Sequence, residues 1–156
     1  MKFEYKKSFV DPAPGFESGV TYQPIIPIIL AGHSGELRFN ALVDTGSDQT
    51  ILPMNDVESI TGLLIDRKII SSVQGRLEHH TENLFLGRSV HLRLSSNEIE
   101  YEFPSSVWFS EDGNSPAILG HSGFLEYFTI TFEGDMHVLI LEPNKKFPGT
   151  SKKLEW

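Results

Sequence analysis

From Tyr22 onward the apolar residues fall into short runs separated by turn formers, a pattern that admits little besides a β-rich fold. Ile25, Ile26, Ile28, Ile29 and Leu30 make a strand too apolar to face water on either side. Gly32-His33-Ser34-Gly35 reads as a turn, and residues 37–43 alternate well enough to be the return strand of a hairpin. Further strands are expected over residues 68–73, from Leu77 onward, and over 90–94, 99–103 and 107–109. Turn residues at 111–114 close the last of these, and Trp108 and Phe109 read as core. Ala117-Ile118-Leu119-Gly120 is a small apolar strand, and residues 129–132 should pair with 137–141 across Gly134-Asp135. Helix signals are sparse. Asn55 is placed to cap a short helix with Glu58 in capping-box position and Gly62 at its end. Ser122 is placed to open a second over residues 123–128. The fold class expected is mainly β, with one core and one or two short helices.

A chain of 156 residues suits one domain. Residues 1–20 read as an irregular arm, with Asp11-Pro12-Ala13-Pro14-Gly15 resisting any regular element, residues 21–143 as the domain, and 144–156 as a loose, lysine-rich tail. The net charge of −8 disfavours nucleic-acid phosphates and anionic membrane surfaces as partners. With no cysteine, disulfides, thiol nucleophiles and cysteine-ligated zinc are excluded. The most apolar segment, residues 24–31, carries two prolines and falls far short of the roughly 20 residues that span a bilayer. No stretch of signal-peptide length follows the basic residues of the first seven positions, so a cytoplasmic location is expected.

Asp44-Thr45-Gly46-Ser47 stands at the end of the apolar run Ala41-Leu42-Val43, where a buried strand breaks into a loop. A carboxylate there sits on a rigid support. Peptide hydrolysis by aspartates takes two carboxyl groups sharing one proton: the ionised one activates water and the neutral one donates to the substrate carbonyl. Asp-Thr-Gly occurs once in this chain and Asp-Ser-Gly nowhere. A second carboxylate would have to come from a second copy.

The segment from Leu42 to Thr50 resembles the active-site loop of the retropepsins, single-domain homodimeric aspartic proteases, and Ile118-Leu119-Gly120 resembles the strand that supports that loop. Residues 124–128 and the hairpin after them are similar to the bacterial branch of the family. The resemblance spans residues 24–141 and implies an acid-protease barrel, a homodimer, a peptide or protein substrate and no cofactor. It makes Asp44 the catalytic carboxylate, one per subunit, and points the Thr45 hydroxyl across the dimer axis. Gly46 would leave room for substrate backbone, and the Ser47 hydroxyl would donate to Asp44. Asp48 matches a carboxylate that usually pairs with an arginine just after the apolar-apolar-glycine strand; here that place holds His121, which lacks the arginine's permanent charge and bidentate grip. The flap that such an enzyme closes over substrate is placed at residues 72–76, with Val73, Gln74 and Gly75 at its tip.

Other motifs carry less. Gly32-His33-Ser34-Gly35 and Gly120-His121-Ser122-Gly123 do not fit the Gly-x-Ser-x-Gly elbow, because Glu36 and Phe124 occupy the last position. His79-His80, with Glu78 and Glu82 nearby, lacks metal-binding spacing, since adjacent histidines on a strand point to opposite faces. No metal is expected. The leading expectation is an aspartic endopeptidase. Two alternatives stand beside it: a non-catalytic peptide-binding or scaffolding dimer, and a monomeric β-barrel carrier in which Asp44 only makes a turn.

Overall fold

The computed structural model describes residues 1–68, 70–74 and 81–155. Thirteen strands are formed among them: β1 (Lys2–Glu4), β2 (Lys6–Phe9), β3 (Val20–Gln23), β4 (Ile25–Ala31), β5 (Glu36–Val43), β6 (Ile51–Pro53), β7 (Ile70–Gln74), β8 (Thr81–Ser95), β9 (Ile99–Ser110), β10 (Ala117–Leu119), β11 (Phe128–Glu133), β12 (Val138–Pro143) and β13 (Thr150–Lys153). Strand makes up 54% of the chain and helix 6%, so the mainly β expectation holds. The largest sheet runs β13-β9-β6-β10-β5-β4-β8-β7, and an added pairing of β8 with β9 closes six of these strands into a barrel.

Alternation decides what fills that barrel. Along β4, Ile26, Ile28 and Leu30 are fully buried, while Ile25, Pro27 and Ile29 are only partly covered on the other face. Along β9, Tyr101, Phe103, Val107 and Phe109 turn inward. Phe109 is therefore core as expected, whereas Trp108 lies half-buried on the opposite face. Phe103, Phe124, Phe128 and Phe147 meet with ring centroids 5.1–6.3 Å apart, the spacing of favourable tilted and edge contacts.

Two breaks expected in the strands are bridged. Gly87-Arg88-Ser89 does not end a strand; β8 passes through as a bulge between Gly87 and Val90, with Ser89 at φ 51°. Pro104 does not end one either. It pairs with His91 on one side, and on its other side it falls between the segments of β9 that meet β13 and β6, so no ladder donor is required of it. Pro27 is tolerated in β4 for the same reason, because β8 pairs only with residues 29–31.

The short helices differ from expectation in kind and capping. Val57–Thr61 is a π-helical turn behind Asp56, with no side-chain cap. Asn55 does not cap it, and Glu58 instead accepts from Ile65 N at 3.1 Å and from Arg67 at 2.6 and 2.9 Å. Gly62 ends the turn as expected, at φ 72°. The second is a single 3₁₀ turn, Leu125–Tyr127, again without a side-chain cap from Ser122.

Both chain ends are more ordered than the sequence suggested. The arm expected to be irregular contains β1, which joins β12 and β11 in a three-stranded sheet, and β2, which pairs with β3. The tail expected to be loose sends Phe147 into the aromatic cluster and adds β13 to the edge of β9. The hairpin of β11 and β12 forms as read, with Thr131 opposite Ile140.

Candidate functional site

Asp44 lies at the first residue past β5, next to β10, which runs parallel to that strand's end. In β10, Ala117, Ile118 and Leu119 run beside Ala41, Leu42 and Val43. Asp44 N then donates to Leu119 O at 3.0 Å, so the register continues one residue into the loop. The two segments singled out in the sequence, 75 positions apart from Asp44 to Leu119, are thus brought into contact.

The loop folds on its own carboxylate. Gly46 N donates to Asp44 Oδ1 at 2.8 Å, and Ser47 N donates to Asp44 O at 3.2 Å. This is the aspartate-centred turn that a strand needs if it is to stop abruptly. It leaves Asp44 partly exposed, with Thr45 and Gly46 open to solvent. A Cβ added at Gly46 would fall 3.2 Å from Asp44 Oδ1, a tight contact with the carboxylate itself.

A second layer pins the loop to the turn that follows β10, residues 120–123. His121 N donates to Ser47 O and Ser122 N to Asp48 O, both at 2.9 Å, while Thr50 N donates to Ser122 O at 3.1 Å. Gly120 N donates to the Thr50 hydroxyl, which is buried. The approach is so close at Gly120 that a Cβ there would fall 2.2 Å from Gln49 O and 2.8 Å from Ser47 O. Behind it, Gly123 takes φ 89° and lends its carbonyl to the Ser105 hydroxyl at 2.6 Å.

The side-chain roles read from the sequence are redistributed. Ser47 Oγ donates to Gln49 O at 2.8 Å rather than to Asp44; the donor to the carboxylate is the backbone of Gly46. Asp48 and His121 are both exposed, and no ion pair joins them among the described residues; their backbones, not their side chains, tie the two segments. Val73 and Gln74 lie in β7, with Gln74 opposite Thr81 of β8, so these two strands form a hairpin. Gly75 and Arg76 of the expected flap, and Leu77, Glu78, His79 and His80 after them, lie outside the described residues.

Thr50, Ser105 and Gly123 support the loop in roles the sequence did not assign them: Thr50 stood only as the last residue of the loop segment, and Gly123 only in the rejected elbow motif and at the start of the second short helix. Among the described residues no helix is long and apolar enough to cross a membrane. The arrangement presents one rigidly backed carboxylate on an open loop at one end of a closed β-barrel. Among known proteins, no family model matches the chain and no curated protein matches it significantly.

Proposed function

We propose that the chain is one half of an aspartic endopeptidase of retropepsin type, in which two copies bring their Asp44 carboxyls together and hydrolyse peptide bonds. The observation that supports this most directly is the placement of Asp44. Its carboxylate ends a barrel strand, is oriented by Gly46 N at 2.8 Å, and stands on a backbone held by Leu119 O at 3.0 Å. Pre-organisation of that kind is what acid–base chemistry by a carboxyl pair requires.

Two carboxyls about 3 Å apart cannot both ionise, so the pair shares one proton and titrates as a unit. The ionised Asp44 takes a proton from water as its oxygen attacks the peptide carbonyl. The protonated Asp44 gives its proton to the carbonyl oxygen, forming a gem-diol. Collapse of that intermediate breaks the C–N bond as a proton passes to the leaving amine and the shared proton is restored. With no side chain at Gly46, an extended peptide can approach the loop backbone beside the pair.

Asp44→Asn tests the proposal. The variant should remain folded and dimeric and cleave no unfolded protein substrate, because an amide cannot take the proton from water. Undiminished cleavage by the variant would overturn it.

A further inference from the structure

The chain enters its barrel at the Asp44 end. Ile25, the first residue of β4, pairs with Leu42, and Val43 N donates to Pro24 O at 2.9 Å. Gln23 is thereby carried to the level at which β5 gives way to Asp44. Only Pro24 separates β4 from β3, and among the described residues β3 pairs with β2 alone, from Gln23 opposite Lys6 to Val20 opposite Phe9. Residues 6–23 therefore form a hairpin arm rooted beside the candidate carboxylate.

The foot of this arm is fixed. Tyr5 N donates to His137 O at 2.7 Å, and the Tyr22 ring stacks on His137 with centroids 3.8 Å apart and planes within 9°. Beyond the foot the arm has little to rest on. Phe9 is 80% exposed, Phe16 49% and Val10 38%. A two-stranded ribbon is marginal in water by itself, and one that turns three large apolar side chains outward is more so.

Charge narrows what should cover it. Lys6 and Lys7 are exposed at the foot, and among the described residues no carboxylate lies within ion-pair distance of either; the Lys7 ammonium stands 5.3 Å over the Phe9 ring. The loop at the same end offers Asp48, also exposed and without an ion pair among the described residues. Asp11 and Glu17 balance the two lysines over the whole arm, so the complementarity is local: its basic foot and the acidic loop do not meet within one chain and are complementary between two.

We infer that the arm is a clasp for a second copy of this chain, laying Phe9, Val10 and Phe16 on the neighbouring barrel and setting Lys6 and Lys7 against Asp48 of the partner subunit. This rests on the homodimeric reading of Asp44. A twofold axis passing between two Asp44 residues puts each arm at the shared interface, where one self-complementary contact occurs twice. Burying the three apolar side chains supplies area, and the charge pairs fix the register.

The test uses full-length chains and needs no enzymatic activity. The variant Lys6→Glu/Lys7→Glu sets acid against acid in its homodimer, and Asp48→Lys sets base against base. Each alone should weaken dimerisation about tenfold or more in sedimentation equilibrium, and an equimolar mixture should regain wild-type affinity, because both contacts become attractive in the mixed dimer. All the changed side chains are exposed, and recovery on mixing excludes misfolding as the cause of weakening. Wild-type affinity in both variants, no recovery on mixing, or a wild type that stays monomeric would each overturn the clasp. A dimer that follows the charge pattern but cuts no peptide would remove the peptidase and keep the clasp. An active dimer indifferent to these substitutions would do the reverse.

Discussion

A methyl group at Gly120 would lie 2.2 Å from Gln49 O, inside any tolerable contact, and the obstacle is backbone that cannot rotate away. Gly120→Ala should therefore push the turn after β10 off the Asp44 loop, costing about 1–3 kcal/mol as an overpacked site does. Urea unfolding checks the stability. The loss of any peptidase activity should exceed what the unfolded fraction explains, because the same contact positions Asp44. At this scale the sequence was legible where chemistry and backbone needs are local. Asp44 and Gly46 sit in one turn, and Ile118-Leu119-Gly120 is a compact signal. Thr50 and Ser105 were not legible, because their partners are 70 and 18 positions away and a lone hydroxyl residue announces neither. Ser47 was assigned to the carboxylate by resemblance, yet its hydroxyl turns to its own backbone two residues on, at Gln49 O.

Among the elements, most strands could be read from period and turn residues, whereas their ends could not. Pro104 and the Gly87-Arg88-Ser89 stretch look like breaks from within the chain. Whether a proline interrupts a strand depends on which neighbour lies on its N–H side, and that is decided by sheet order rather than by local sequence. The turn at Val57–Thr61 misled for a related reason. Glu58 fits a capping box by spacing, but a guanidinium nine positions on takes it instead. The hydrogen bond from Arg67, and after it that from Ile65 N, hold the Glu58 carboxyl below its ordinary value of 4.5. A depressed carboxyl contributes stability that is present above its unfolded pKa and is lost as pH falls through the folded one. The pair is largely exposed, so the contribution stays within about 1 kcal/mol. Glu58→Gln should melt slightly below the wild type at pH 6, and the gap should close progressively below about pH 4.5. Melting curves that stay parallel down to pH 3 would show that the pair adds nothing.

Across the whole molecule, the two ends of the chain are structural members rather than appendages. Phe147 lies 5.4–5.9 Å from the rings of Tyr101, Phe103 and Phe128, and β13 lengthens the sheet at β9. Phe147→Ala should cost about 2 kcal/mol, less than a fully buried phenylalanine because the ring is half-exposed. Thermal unfolding checks it, and an unchanged melting temperature would mean that the tail only rests on the barrel. Composition hid this order. Residues 144–153 hold four lysines and one aromatic, yet Phe147, the hydrogen bonds from Asn144 to Glu126 O and Tyr127 O, and the pairing of β13 with β9 fix the segment.

The central claim is that neither copy of the chain holds a complete site. Wild type and Asp44→Asn, mixed at fixed total concentration and allowed to exchange subunits, test it most directly. If catalysis takes one carboxyl from each subunit, only wild-type homodimers act, and activity falls as the square of the wild-type fraction. An equal mixture should then retain about one quarter of the activity of pure wild type, by random assortment of subunits. Retention of about one half, with a linear fall across the series, would mean that each chain works alone and would contradict the split site.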